Sequence, residues 1–371
     1  MFACCYANAS VANYTLGLIS EMMNIKDLEI KMVSSHCACL PRFPQRRFAL
    51  IGKCSIVNCP YLSFPSSKRR ILNIAIQDIP KTLTDFFRGF SYLRASRGGD
   101  IIHFQQSSQY SFGIIPLIPL ILFSRQRKVV TLHSGEGALG SKFLFRIYNR
   151  VDKIIVHSES METHLLNIGV AKSRIVKVPH GVNIPPLFGL NRTEITFMGA
   201  PEERKGILTI LDALRILKNK NINLKVAVYG WYSVSERKST ELLAASKNVD
   251  DCLVWGGRLD ENEFDKKLQQ SLFTLAVYNS ATSGSSVATR AMSNATPVVA
   301  SDIGGFKEYL DGGGVFLPPR NPEALAEMIE SLLKNPQLLE ELGAKGRERA
   351  LQLFSWKEIA KKTATIYEIL L

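Results

Sequence analysis

The chain has 371 residues, enough for two domains of ordinary size, and a hydrophobic fraction of 46% gives each a core of its own. Its formal charge of +13 is unevenly placed: residues 1–184 carry 23 Lys/Arg against 10 Asp/Glu, whereas residues 185–371 carry 23 of each. A basic first half points to an anionic surface such as phospholipid headgroups or a lipid-phosphate acceptor, and no recognition motif accompanies it that would support nucleic acid.

The opening MFACCY has neither a basic start nor a long apolar core, so no secretory signal is expected. Seven cysteines, six within the first 59 residues, form an odd set that reads as reduced thiols in the cytoplasm. His36, Cys37, Cys39, Cys54 and Cys59 fit no common zinc spacing, and no Asp-x-Asp occurs, so no metal is expected. The apolar opening reads as the first strand, residues 11–24 as a helix and 28–33 as an alternating strand. Residues 37–67, with clustered Pro, Cys and Arg, read as irregular.

A helical pattern over 79–97 leads to Gly98-Gly99-Asp100 and a strand over 101–105. The window 113–123 (GIIPLIPLILF) is too short to span a bilayer and holds two prolines. It reads as a buried helix or, with Arg125, Arg127 and Lys128 beside it, as a membrane-surface element. The strand KVVTLH then ends on His133, followed by the loop SGEGALG over 134–140. Strand, helix and strand at these intervals imply parallel βαβ units.

His133 therefore sits at the sheet edge where ligands bind, and the glycines after it allow close approach. A second reading makes it a histidine satisfied by local hydrogen bonds. Glu136 is the only acid between Asp100 and Asp152, and reads either as an acceptor contact or as a solvated loop carboxylate. His103, inside an apolar strand, reads as structural. DKIIVHSES over 152–160 supplies a strand and a helix start capped by Ser158 or Ser160, and VKVPHGVN over 176–183 makes His180 a hinge residue.

The second half opens with a strand over 194–198 and the loop GAPEERKG over 199–206. Strands over 224–229, 253–255 and 273–277 alternate with helices, which describes a doubly wound sheet. In the stretch 278–314, the small residues Thr282, Ser283, Gly284, Ser285 and Ser286 lead into the helix-forming run VATRAMSNA, beginning at Val287. A helix start of this kind attracts a phosphate through unpaired N–H groups and the helix dipole. Thr296-Pro297 ends that helix, PVVAS reads as a buried strand, and DIGG as a turn at its ligand-facing edge. Residues 356–371 form the last helix.

The order of small-residue loop, helix, PVVASDIGGFKE, glycine turn and VFLPPRNPEAL resembles the donor-binding half of the family 4 retaining glycosyltransferases, over roughly residues 100–371. The resemblance implies an α/β fold of two Rossmann-like doubly wound domains facing a central cleft, the GT-B architecture. Residues 1–184, joined by the helix 356–371, would hold the acceptor, and residues 185–355 a UDP- or GDP-linked nucleotide-sugar as co-substrate, with no cofactor.

It also implies roles for single residues. His133 would face the sugar and phosphate of the donor. Lys205, after Gly199 and before Gly206, would clamp the diphosphate, although Ala200 stands where the family places an arginine. The family's two donor-loop glutamates correspond to Thr282 and Arg290, so neither carboxylate is present. Arg290 is then expected to contact phosphate in place of the missing arginine. Stabilising the leaving diphosphate would fall to Lys205, Arg204 and the amides of Gly284, Ser285, Ser286 and Val287. The function implied is a metal-independent retaining hexosyltransferase of polysaccharide or cell-envelope glycan synthesis, peripheral at the inner membrane face, acting on a glycan or lipid-linked acceptor. Loss of both glutamates and the arginine also suggests a catalytically silent GT-B scaffold or partner-binding subunit.

Overall fold

The computed structural model describes residues 2–5, 9–25, 28, 30–35, 54–59, 90, 93–94, 99–106, 118–133, 146–189, 191–280 and 285–371. The chain divides into two compact units, Met1–Gly181 with Trp356–Leu371, and Val182–Ser355.

The first unit contains β1 (Phe2–Cys5), α1 (Ala9–Met22), β2 (Ile30–Ser35), β3 (Cys54–Cys59), β4 (Ile101–Gln106), α2 (Ile118–Phe123), β5 (Arg127–Leu132), β6 (Lys153–Val156), α3 (Glu159–Asn167) and β7 (Ile175–Lys177). Its seven strands form a sheet of order β3-β2-β1-β4-β5-β6-β7, and the pairs are parallel. Strand periodicity divides the core. Ile102, Phe104, Val130, Leu132, Ile154 and Val156 pack on one face, Ile101, Val129 and Ile155 on the other. Ser158 caps α3 by accepting from the Met161 amide. The terminal helix, Trp356–Leu370, packs Ile359, Ile366 and Tyr367 with Tyr14, Leu18 and Met22 of α1. Its Trp356 ring fills a slot left by two glycines, since a Cβ at Gly17 or Gly181 would come within 2.3 or 2.2 Å of it.

In the second unit follow β8 (Glu194–Met198), α4 (Ile207–Asn219), β9 (Val226–Tyr229), α5 (Val234–Ser246), β10 (Leu253–Gly257), α6 (Glu261–Gln269), β11 (Ser271–Ala276), α7 (Ser286–Ser293), β12 (Val298–Ser301), α8 (Phe306–Leu310), β13 (Gly314–Leu317), α9 (Pro322–Leu333) and α10 (Pro336–Arg349). The sheet is parallel, of order β10-β9-β8-β11-β12-β13. Ile195, Phe197, Phe273, Leu275 and Val299 bury on one face, Met198, Ala276, Val298 and Ala300 on the other. Helix starts follow local chemistry: reciprocal capping boxes join Ser233 to Glu236 and Asp260 to Glu263, while Asn321 and Asn335 each cap a helix that opens on proline.

Only part of the apolar window 113–123 lies within the described residues. There α2 buries Pro119, Leu120 and Ile121 but leaves Leu122 48% and Phe123 60% exposed, so it is not the fully buried helix that its composition suggests. Among the described residues no helix is long and apolar enough to cross a membrane.

Candidate active site

In the second unit the chain runs outward from β8 through β9 to β10, then returns to place β11 on the other side of β8. The loops leaving β8 and β11 thus diverge at their C-terminal ends, which creates the crevice where open α/β sheets bind ligands. Sequence dictates how closely the two loops approach. Gly206 adopts φ +82°, and a Cβ there would stand 1.9 Å from the Val277 carbonyl oxygen, so only glycine fits. Asn279 joins the loops: its backbone N–H donates to the Arg204 carbonyl at 2.9 Å and its side-chain amide to the Glu203 carbonyl at 2.8 Å.

This tie sets the start of α4 in the crevice without a side-chain cap, and Lys205 immediately before it. Lys205 is 18% exposed, lies 3.7 Å from a Glu202 oxygen, and folds over Gly199 so closely that a Cβ there would be 2.8 Å from its Nζ. Arg204 is half exposed, with Glu202 at 3.4 Å and its guanidinium 5.9 Å from the centre of the Tyr278 ring. Burial raises the Tyr278 phenol's pKa, and its hydroxyl lies 3.4 Å from Ser285 Oγ. Ser285 is the N-cap of α7 and accepts from the Ala288 amide. Asn279 Oδ1 and Ser301 Oγ are buried with no hydrogen-bond partner among the described residues. Two helix N-termini and a lysine at the end of a sheet make a site suited to an anion, whereas the unpaired Asn279 oxygen can only accept a hydrogen bond from a ligand donor.

Arg290 is engaged by α6. Its Nε donates to Asp265 at 2.7 Å, one terminal nitrogen pairs with the Glu261 carboxylate at 2.7 Å, and the other donates to the Glu261 carbonyl at 2.5 Å. The group also lies over the Phe264 ring at 4.4 Å. Its charge is thus paired with carboxylates of α6. Residue 290 lies beyond the first turn of α7, and the side chain crosses to α6 because Asp265, also bonded to Asn294, waits there. The sequence expectation missed Asp265 because it is 25 residues away.

Thr282 and Gly284, expected on the sequence to line the donor loop, and Glu136, expected on the acceptor side, lie outside the described residues, as do Cys37 and Cys39. Among the described residues no cluster of histidine, cysteine and carboxylate side chains suits a metal. An open cavity of about 500 Å³, lined by Leu187, Arg192, Ala295 and Arg347, lies at the C-terminal end of α7, away from the anion-attracting end.

The first unit carries a second constellation. His133 follows β5, His157 follows β6 and His180 lies three residues beyond β7, so neighbouring parallel strands deliver three histidines to one edge. Tyr14 packs against all three rings, with centroid distances of 4.6, 5.1 and 5.0 Å. His133 Nε2 is 2.8 Å from Gln105 Oε1, its Nδ1 is 3.1 Å from His157 Nε2, and His157 Nδ1 donates to the Val178 carbonyl at 2.9 Å. Burial, with the neighbouring histidines, pushes the pKa of His133 well below the ordinary value, and burial pushes that of His157 down to about 3. His103 is buried between Thr131 at 2.6 Å and the Tyr367 hydroxyl at 2.5 Å, and burial lowers its pKa to about 3. Sequence reasoning singled out His133 but missed its union with His157, whose signal was a histidine ending the next strand.

Two doubly wound parallel sheets, one per unit, constitute the GT-B architecture. The whole chain superposes on a glycosyltransferase from Rickettsia africae, with TM-score 0.77 at 16% identity over 100% of this chain and 97% of that one. It superposes likewise on Anabaena HepE in complex with UDP, with TM-score 0.73 at 14% identity over 99% and 98%. Residues 186–349 match the model for glycosyl transferases group 1, and residues 54–184 that for glycosyltransferase family 4. The chain belongs to the family 4 (group 1) glycosyltransferases. It is similar to the MMP alpha-(1->4)-mannosyltransferase of Mycolicibacterium hassiacum, 27% identical over 60% of this chain, and to the phosphatidyl-myo-inositol mannosyltransferase of Mycobacterium leprae, 28% identical over 53%. The matches span about half the length of these two relatives, 55% and 54%.

Proposed function

We propose that the protein is a retaining, metal-independent hexosyltransferase that takes a sugar from a UDP- or GDP-linked donor and passes it to a glycan or lipid-linked acceptor. The second unit binds the donor and the first unit the acceptor. The observation that carries this reading is Lys205 held beside the uncapped start of α4, at the point where the β8 and β11 loops part. Cleavage of the anomeric C–O bond leaves negative charge on the diphosphate, and a fixed cation with oriented amides lowers that barrier electrostatically. Lys205, Gly199, Arg204 and the helix start at Ser285, Ser286 and Val287 serve the diphosphate, with Thr282 and Gly284 in the same loop. His133 contacts a substrate hydroxyl, and Glu136 lies on the acceptor side.

The reading extends to a peripheral position at the cytoplasmic face of the inner membrane, in polysaccharide or cell-envelope glycan synthesis. It is supported by the basic first half and by exposed Phe123, which stacks on Phe90 at 5.9 Å close to Arg125 and Arg127.

Thermal denaturation with UDP, GDP and their hexose conjugates, in EDTA, tests the donor reading, because a ligand of the native state raises its apparent stability. A shift with one nucleotide family supports it. An unchanged midpoint with every nucleotide at millimolar concentration favours the silent scaffold instead.

A further inference from the structure

We propose that His157 is a positioning residue: anchored on the Val178 carbonyl, it holds His133 in the Nδ1–H form, so that Nε2 of His133 is a hydrogen-bond acceptor for a substrate hydroxyl. The inference rests on the reading of His133 as a substrate-facing residue, but its central claim concerns protons within the first unit.

A carbonyl oxygen only accepts hydrogen bonds, so His157 Nδ1, 2.9 Å from Val178 O, carries the proton. His157 is buried and neutral, which leaves its Nε2 with a lone pair alone. His133 Nδ1, 3.1 Å away, must then be the donor. With His133 also neutral, its Nε2 is bare.

The remaining partners agree with this polarity once the Gln105 amide presents its NH2 to His133 Nε2, the contact of 2.8 Å. Amide nitrogen and oxygen are alike in shape, and the network decides between them. The Gln105 oxygen then faces His103 Nε2 at 3.3 Å, and this N–H serves both Gln105 and Thr131 Oγ1, 2.6 Å away. His103 Nδ1 accepts from the Tyr367 hydroxyl at 2.5 Å. Every donor now points the same way, from Tyr367 through His103, Gln105, His133 and His157 to Val178.

The reverse polarity fails at its last member, because the Val178 carbonyl cannot donate. It would require an extra proton on a ring packed against Tyr14 and His180, where desolvation opposes charge. A substrate hydroxyl can take the place of the Gln105 amide on His133 Nε2 without moving any other proton. That defines the class of group recognised: a donor, such as a sugar hydroxyl, rather than a phosphate oxygen.

The test is the long-range ¹⁵N–¹H spectrum of the full chain labelled at histidine, at pH 7.5, with the His133 signals assigned from their loss in His133→Gln. The expected result is the Nδ1–H form at both His133 and His157, although free imidazole prefers Nε2–H. In His157→Phe, which neither accepts nor donates, His133 should revert to Nε2–H. In His157→Gln, whose amide can accept from His133 and donate to Val178, the Nδ1–H form should persist.

With an active donor in hand, kcat/KM should fall about tenfold in His157→Phe, the worth of one neutral hydrogen bond, and recover in His157→Gln. UDP or GDP affinity should stay the same in both. An Nε2–H or doubly protonated His133 in the unaltered protein overturns the proposal. So does full turnover in His157→Phe. Absence of nucleotide binding in every form instead sinks the donor reading and leaves the tautomer result standing.

Discussion

Gly206, in the loop after β8, meets Val277, in the loop after β11, and the Val277 carbonyl oxygen occupies the space that any side chain at residue 206 would need. The contact holds Lys205 at the start of α4, so one missing Cβ links backbone geometry to the anion site. Gly206→Ala should destabilise the protein by about 2–3 kcal/mol, combining left-handed strain with a backbone collision. Urea unfolding measures this; a loss below about 0.5 kcal/mol would show that the loop relaxes freely.

Among the described residues Lys205 is paired only with Glu202, at 3.7 Å, so its ammonium is available to a diphosphate. Lys205→Ala should weaken UDP or GDP binding by about 10- to 100-fold, the range of one charge-assisted hydrogen bond, and leave nucleoside binding unchanged. Calorimetric titration with both ligands decides. An equal loss for nucleoside would place the lysine elsewhere than on the phosphates.

For Arg290 the structure shows ion pairs to α6 that the sequence did not reveal. Removing its guanidinium strands Asp265, 15% exposed, beside Phe264 and Asn294. Arg290→Ala should therefore cost about 3 kcal/mol of stability without a selective loss of diphosphate affinity. A stable variant that no longer distinguishes diphosphate from nucleoside would restore the phosphate role.

Stability should also depend on pH through the histidines. Burial pushes the pKa values of His103 and His157 down to about 3, whereas the unfolded chain titrates near 6.5. The unfolded state therefore binds more protons as pH falls through 6.5, and stability that is complete above that value is lost progressively toward pH 3. By pH 5 the loss should be about 2 kcal/mol for each of the two. Urea midpoints at pH 7.5 and 5.0, compared with those of His103→Gln, would show it; a pH slope unchanged by that substitution would contradict the assignment for His103.

Vesicle binding provides a separate check on the peripheral reading. Leu122 and Phe123 are exposed beside a basic segment, so binding to anionic vesicles should weaken with salt and with Phe123→Ser. Equal partitioning onto neutral and anionic vesicles at low salt would remove its support.

What the sequence determined by itself was what local chemistry controls. The apolar runs in IIHFQ and KVVTL, buried on both faces of the sheet, and the proline after α7 placed strands and a helix end within a few residues because these signals act between near neighbours. Lys205 and Gly206 were singled out by the resemblance to the family's donor-binding half, and His133 by its place at the end of a strand. Tertiary structure alone decided the direction of each polar side chain. Arg290 turned to Asp265, which helix packing brings to it from 25 residues away. His133 gained His157 as a partner because parallel strands set in register residues 24 positions apart. Hydrogen bonds and ion pairs require atoms of residues remote in sequence to be placed within a few tenths of an ångström of their proper separation, and the folded sheet fixes that placement.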